Sequence, residues 1–395
     1  MDYIYHLSRI MDAIAGWLNG FLPDWLDIIV LGLIGVVGVL AFVVPSLMVL
    51  IYIERKLIGR FQIRTGLMRV GPHGVLQPVA DAIKVLTKES MTPDKADKTV
   101  FNLAPVIALA PALMVWAVLP FAKDLHFTDL NIGILYVVSI STLTIIGAFM
   151  AGWSSNNKFA LLGAMRTVAQ MVSYEVPLVL SLIGVVLVTG SLSLVSIVDR
   201  QTVPFLLLQP VGFLIYFISA LAELNRAPMD LMEAESEIIA GYHTEYSGFK
   251  FAIYYLAEYT HALAMAAMVS SVFLGGWNLF GGWFSGSFIP QYIWFALKVY
   301  FIFAVLVWIR ATVPRMRVDQ LMGFAWKTLL PIALANVFLT GLGILVFPDN
   351  DLLLAVFGWL PIPVGLLWLR FKPGAVERGG REAVVRSEYQ PTLAK

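Results

Sequence analysis

Between Glu223 and Lys250 the chain reads ELNRAPMDLMEAESEIIAGYHTEYSGFK, with Glu223, Asp230, Glu233, Glu235, Glu237 and Glu245 set against only Arg226 and Lys250. Pro228 is placed to open a helix at its first position, with Asp230 in the first turn, where the helix dipole favours a negative charge. Glu233 and Glu237 then stand four apart on one face, Asp230 three before Glu233, and Glu235 points elsewhere. Like charges at that spacing repel, which favours keeping a proton on one of them. Coupled carboxylates of this kind hold and hand on protons, provided bulk water is kept away. Tyr242, His243, Thr244, Glu245 and Tyr246 come next, crowding hydroxyl, imidazole and carboxylate groups before Gly248. The stretch reads as a site for cations or protons, as a dock for a polar partner, or as an ordinary solvated loop.

More ionisable residues sit where the surrounding sequence is apolar. Glu175 lies nine positions after Arg166, about 13 Å along a helix at 1.5 Å per residue. Glu258 and Lys298 fall inside apolar runs, and Glu223 closes one. An ionised side chain facing lipid costs at least about 2.5 kcal/mol, so these groups must face protein or water, pair, or stay neutral. Glu258 with Lys298 is one candidate ion pair. Because the acids outnumber the bases inside the runs, a continuous hydrated file of carboxylates is the better reading of the set. Earlier in the chain, Arg55, Arg60, Arg64 and Arg69 flank a short amphipathic stretch, Gln77 to Glu89, that carries Asp81. Arginines beside a partly apolar helix suit the mouth of a cavity for a molecule with a polar head and an apolar tail. A membrane-topology bias explains part of this basic cluster but not Asp81.

The elements that must position these groups are membrane spans. The chain has 395 residues, 59% hydrophobic and 13% charged, with a mean hydropathy of +0.81. Soluble domains carry about a quarter charged residues, so the composition is that of an integral membrane protein. Cysteine is absent, which excludes disulfides, cysteine-ligated clusters and thiol chemistry from this sequence. The five histidines lack paired ligand spacing, so no haem or zinc site is expected. No cleaved signal peptide is read at the N-terminus.

Hydropathy predicts nine spans, at Trp25–Ile53, Phe101–Pro120, Gly133–Gly152, Arg166–Val188, Val203–Ala222, Phe251–Leu274, Pro290–Ile309, Leu329–Phe347 and Leu352–Leu369. The fold class is therefore an all-α polytopic membrane protein. Gln77 to Glu89 is too short and charged to span and reads as an interfacial amphipathic helix in the first cytoplasmic loop. Lys and Arg concentrate in the connections 54–99, 153–165, 223–250 and 310–328 and in the tail, whereas Arg9, Lys123 and Arg200 occupy the other side. That asymmetry puts the N-terminus outside, and the C-terminus and the acidic stretch on the cytoplasmic side. Residues 1–372 form the membrane domain and 373–395 a charged, mobile tail.

Several of these residues fall in recognisable motifs: Glu54-Arg55-Lys56 with Gly59-Arg60-Phe61-Gln62 and Arg64; Arg69-Val70-Gly71-Pro72; Gln77-Pro78 through Asp81 and Lys84; Ser173-Tyr174-Glu175; Glu223 through Gly248; Glu258-Tyr259; Arg310 to Arg315; and Asp319 to Met322 with Trp326-Lys327. In this order, over roughly residues 50 to 330, they resemble the quinone-chamber membrane subunit of respiratory complex I, the bacterial counterpart of mitochondrial ND1. The resemblance implies a subunit of a proton-pumping NADH:quinone oxidoreductase in the bacterial inner membrane. Ubiquinone or menaquinone would be its substrate, while FMN, NADH and iron–sulfur clusters belong to partner subunits. It also implies peripheral-arm partners that deliver electrons, small membrane subunits leading to antiporter-like pumps, and no metal in this chain. By the same resemblance, Arg55, Arg60, Arg64, Asp81, Tyr242, Thr244 and Glu245 belong to the quinone-chamber region. Glu175, Glu223, Asp230, Glu233, Glu235, Glu237 and Glu258 belong to proton coupling. Leu67-Met68 departs from the family's usual Pro-Asn, and the Pro-rich last span and tail extend beyond the family core. Two other readings stand beside this one: the anchor subunit of a related hydrogenase or formate hydrogenlyase, and an independent proton or cation transporter.

Overall fold

The computed structural model describes residues 24–123, 125–232, 238–278, 290–347 and 351–361. Helix is the only extended regular structure among them. The principal helices are α1 (Asp24–Phe61), α2 (Gln77–Thr87), α3 (Lys98–Met114), α4 (Gly133–Ser154), α5 (Lys158–Thr189), α6 (Pro210–Glu223), α7 (Gly248–Phe273), α8 (Gln291–Thr312), α9 (Val318–Val346) and α10 (Asp351–Trp359). Among the described residues, six segments are long and apolar enough to cross a membrane: Gly32–Phe61, Lys98–Ala117, Gly133–Ser154, Lys158–Thr189, Gln291–Thr312 and Val318–Val346. The protein is a multi-pass helical membrane protein.

Their starts follow local chemistry. The Asp97 carboxylate accepts from the Thr99 and Val100 amides at the head of α3, and the Asn157 side chain accepts from Phe159 at the head of α5. Each cap satisfies amides that the helix itself leaves unpaired. The packing is inverted relative to a soluble bundle. Leu33 and Val37 on α1, Leu297 and Phe301 on α8, and Phe338 and Leu345 on α9 are exposed, while Gln170, Thr260, Ser270, Ser271 and Asn336 are buried. Apolar groups outside and polar groups inside suit helices whose solvent is hydrocarbon.

α7 is the hub, packing on α1, α2, α3, α6 and α8. It has 26 residues, ample length for a bilayer core. Glu258, Thr260, His261, Ser270 and Ser271 lower its apolar character, and it is not among the six segments above. Every residue from Ala262 to Phe273 is buried, so neighbouring helices rather than lipid surround its second half.

Four sequence expectations change. α1 does not stop at Ile53 but runs through Glu54-Arg55-Lys56 to Phe61, because Glu54 finds cationic partners inside the protein. The run Val203–Ala222 is two pieces, Phe205–Leu208 and α6, broken at Gln209 (φ −133°, ψ 64°) just before Pro210. Proline disfavours helix at the residue before it, and this break uses up apolar length that a span would need. The predicted span at Leu329 is the end of a longer helix that begins at Val318 and passes through a wider turn at Ala325–Leu329. No helix opens at Pro228: residues 227–232 are turns, held by Met316 N–H donating to the Pro228 carbonyl at 3.0 Å. Residues 362–369 of the ninth expected span, and the tail, lie outside the described residues.

Candidate functional site

The described parts of the 223–250 connection, residues 223–232 and 238–250, are seated in the protein rather than solvated. Leu224, Arg226, Met229, Asp230, Leu231, Met232, Ile238, Tyr242, His243 and Tyr246 are all buried. The Gln170 amide of α5 donates to the carbonyls of Ala222 and Met229, both at 2.7 Å, and so fixes the turn after α6. Arg315 Nη2 holds Asp230 Oδ2 at 2.9 Å. The far end clamps the start of α3: Tyr246 stacks on Phe101 with centroids 4.0 Å apart, and Lys250 Nζ donates to Thr92 Oγ1 at 2.8 Å. Two glycines make the seat possible. A Cβ on Gly163 of α5 would stand 2.6 Å from the Gly241 Cα, and Gly241 itself has φ +56°, a region that residues with a Cβ rarely adopt.

Inside this seat runs a chain of alternating charge. Arg310 donates to Glu54 Oε1, Arg226 Nη1 donates to Glu54 Oε2 at 3.2 Å, and Arg226 Nε lies 3.2 Å from Glu258 Oε1. The last contact is an ion pair by distance whose N–H is not aligned as a hydrogen bond. Glu54 and Arg226 are each 3% exposed at the side chain. The Arg226 guanidinium also lies over the Tyr259 ring, 4.4 Å from its centroid. Burial alone would lower the Arg226 pKa, but Glu54 and Glu258 outweigh it and raise it, so the residue is a fixed cation. The charges link α1, the loop, α7 and α8.

On the other face of Glu258 is a cavity of about 50 Å³, lined by Glu223, Asn225, Tyr242, His243, Glu258 and His261 among others. It has room for a few waters and is too small for an aromatic headgroup. Glu223 Oε2, Asn225 Oδ1 and both ring nitrogens of His243 are buried there without a protein partner. Polar atoms in that state are normally met by ordered water. Burial pushes the His243 pKa down to about 3, so the ring is neutral near pH 7. Glu175 lies close enough to act on Glu223 as a like charge, and its carboxyl contacts the Thr142 hydroxyl.

The remaining sequence candidates are dispersed. Arg55 pairs with Asp81, which also accepts from Gln77 Nε2 at 3.1 Å, on the outer face where α1 meets α2. Arg60 and Arg64 are exposed at the end of α1 and in the turn after it. Tyr242 lines the cavity, but Thr244 Oγ1 donates to the Gly241 carbonyl at 2.6 Å. Glu245 accepts from Asn157 Nδ2 at 2.7 Å and lines a separate surface groove with Asp94, Lys95, Asp97 and Lys158. Glu233, Glu235 and Glu237 lie outside the described residues. The suggested Glu258–Lys298 pair does not form: Glu258 faces Arg226, and Lys298 Nζ donates to the carbonyls of Leu274, Gly276 and Asn278 at 2.5–2.8 Å. Two residues missed as site members are Glu54 and Arg226. Glu54 looks like the end of a span, and Arg226 like one isolated base. Only the long-range contact 172 residues apart joins them. Among the described residues no group of three or more His, Asp or Glu is placed to hold a metal.

The arrangement has relatives. The model of the NADH dehydrogenase family matches residues 34–341, which include every helix that contributes to the charge chain and the cavity. This chain belongs to that family. It is 52% identical over 337 residues to the H subunit of the NADH-quinone oxidoreductase of Dehalococcoides mccartyi strain CBDB1, covering 85% of this chain and 94% of the relative. It is 50% identical over 340 residues to the same subunit of Bacillus cytotoxicus, covering 85% and 98%. The Carboxydothermus hydrogenoformans counterpart is 49% identical over 334 residues, covering 84% and 94%. The family match ends within α9, at residue 341.

Proposed function

We propose that this chain is the membrane subunit of a proton-pumping NADH:quinone oxidoreductase that walls the quinone chamber and couples quinone reduction to proton movement. The observation that carries the reading is the cavity holding Glu223 and Glu258 beneath the seated loop, tied by Arg226 to Glu54 near the C-terminal end of α1. A charge change at the loop reaches Glu258 through one guanidinium. A protonation change at Glu258 reaches Glu223 across a space with room for waters, and the charge on Glu223 then acts on Glu175. Electrons would come from FMN and iron–sulfur clusters in peripheral partners, which fits a cysteine-free sequence. The surface around Asp94, Lys158 and Glu245 is where a peripheral subunit would complete the chamber with Asp230, Glu233, Glu235, Glu237, Tyr242 and Thr244. The headgroup then binds at that shared wall rather than in the small internal cavity. Arg55, Arg60, Arg64 and Asp81 would guide an amphipathic quinone past α2, whose Val79, Ile83 and Leu86 are exposed. The exposed apolar surface of α1, α8 and α9 fits a bacterial inner membrane with the loop on the cytoplasmic side.

The test is Glu223→Gln and Glu258→Gln in the assembled complex reconstituted into liposomes. Each is expected to lower quinone reduction and proton uptake per assembled complex by about a hundredfold, the lower end of what a positioned proton-transfer group contributes. Normal turnover and normal proton-to-electron ratio in both would overturn the coupling role. The hydrogenase-anchor and independent-transporter readings gain no support from the three relatives above, each of which is named for a quinone oxidoreductase.

A further inference from the structure

His261 has no part in the roles above. It stands on α7, three residues past Glu258, and lines the cavity beneath the loop. It also lines a second, deeper cavity of about 20 Å³, walled by Ser141, Tyr216, Leu182 and Met265. Among the described residues no other borders both. Its Nε2 is 2.9 Å from Thr144 Oγ1, and Thr144 belongs to the wall of the first cavity. The ring is therefore the partition between the first cavity and a second, largely apolar one whose other polar groups are Ser141 and Tyr216, and a hydroxyl on one side orients it.

An imidazole differs from the carboxylates around it in having two nitrogens on opposite edges. It can accept a proton on one while giving up the proton on the other. The deeper cavity also brings in Ser141, which stands beside Glu223 on its own side, so the two spaces share a carboxylate neighbourhood. We infer that His261 is a further proton-relay residue of this subunit, passing protons between the Glu223–Glu258 cavity and the deeper pocket at Ser141 and Tyr216. This rests on the proposed coupling function and adds a path to it.

The step balances without a cofactor. A proton from a cavity water or acid reaches Nε2 through the Thr144 hydroxyl, which accepts one proton as it gives up another. The transient imidazolium releases its Nδ1 proton to the Ser141 hydroxyl on the deeper side, which accepts it as it gives its own proton to the Glu223 carboxylate. One proton has crossed, and the ring is neutral again as the other tautomer. A ring flip, or the reverse exchange, resets it. The titratable and polar groups facing the ring come from each packed element. Glu258 and Tyr254 are on α7, and Glu223 and Tyr216 on α6. Ser141 and Thr144 are on α4, Thr167 is on α5, and Asn225, Tyr242 and His243 are in the loop. α3 contributes only apolar groups.

The decisive variant is His261→Gln in the intact complex in liposomes, with activity normalised to assembled complex on native gels. Glutamine retains an amide for the Thr144 hydroxyl but cannot relay a proton. Quinone reduction is expected to fall by tenfold or more, with a displaced pH profile and an increased solvent isotope effect. Thr144→Val is expected to give a smaller loss, on the order of threefold, and Thr144→Ser to restore activity. Wild-type turnover, pH profile and isotope effect in His261→Gln would overturn the relay. If His261→Gln fails to assemble, Thr144→Val decides: wild-type turnover and pH profile there would overturn it equally. Loss in Glu223→Gln and Glu258→Gln with a normal His261→Gln rejects the His261 path alone. Silence in all three rejects the coupling function with it.

Discussion

Arg226→Met offers the sharpest test of the buried charge chain. The guanidinium is 3% exposed, bridges Glu54 and Glu258 at 3.2 Å each, and covers the Tyr259 ring. Methionine nearly fills the volume and keeps contact with Tyr259, so the loss is electrostatic rather than a cavity. Glu54 retains Arg310, but Glu258 loses its guanidinium while 22% exposed. Breaking a buried pair in this way costs about 3–5 kcal/mol, against about 2 kcal/mol for the buried cation–ring contact. The stranded charge therefore dominates. Removing it should restore stability: Arg226→Met/Glu258→Gln is expected to recover most of the loss, a coupling of about 3 kcal/mol. Arg226→Lys should recover little, since one ammonium cannot serve two carboxylates on opposite sides. The assay is thermal dissociation of the detergent-solubilised complex, followed by native gel and by turnover of the surviving fraction. If Arg226→Met melts with wild type, or the double variant is worse than the single, the bridge does not carry the energy assigned to it.

Gly163→Ala drives a methyl into the Gly241 backbone, so the loop must lift; expected are a cost of about 1–3 kcal/mol and faster hydrogen exchange over residues 238–247, with slower quinone reduction. Unchanged exchange there would refute the close seat. Lys298→Met strips three carbonyls at the end of α7 of their donor and should lower complex stability by about 3 kcal/mol while leaving the pH profile of turnover in place. A displaced profile would instead make Lys298 part of the proton path. His243 titrates near 3 when seated and about 6.5 when released, so the released loop binds the extra proton between those values. Seating is then fully stable above pH 6.5 and weakens as pH falls toward 3, by up to about 1.4 kcal/mol per unit. Hydrogen exchange of residues 238–247, corrected for intrinsic rates, should show that slope between pH 6.5 and 5, and His243→Phe should abolish it.

Some of this was legible in the residues alone. Hydropathy showed a helical membrane protein, since runs such as Gly133–Gly152 admit no other stable state in lipid. Glu175, Glu223 and Glu258 stood out because charge inside an apolar run is costly enough to need a reason. The motifs from Glu54 to Lys327 pointed to the family that the relatives bear out.

What one dimension could not express was pairing. Charge costs are settled by partners far along the chain, so Lys298 was matched to Glu258 by proximity in the membrane, whereas the folded protein gave it backbone carbonyls at the end of α7. Glu54 looked like a span terminus until Arg226 and Arg310 closed on it, and the same contacts let α1 continue to Phe61. Pro228 read as a helix start by local propensity, but Gln170 and Met316 capture the neighbouring carbonyls and hold turns instead. The acidic stretch was visible as composition. The burial of Glu223 and Asp230 within it, which turns two of its carboxylates into screened groups, came only from tertiary packing, because screening is a property of what surrounds a charge and not of the charge itself.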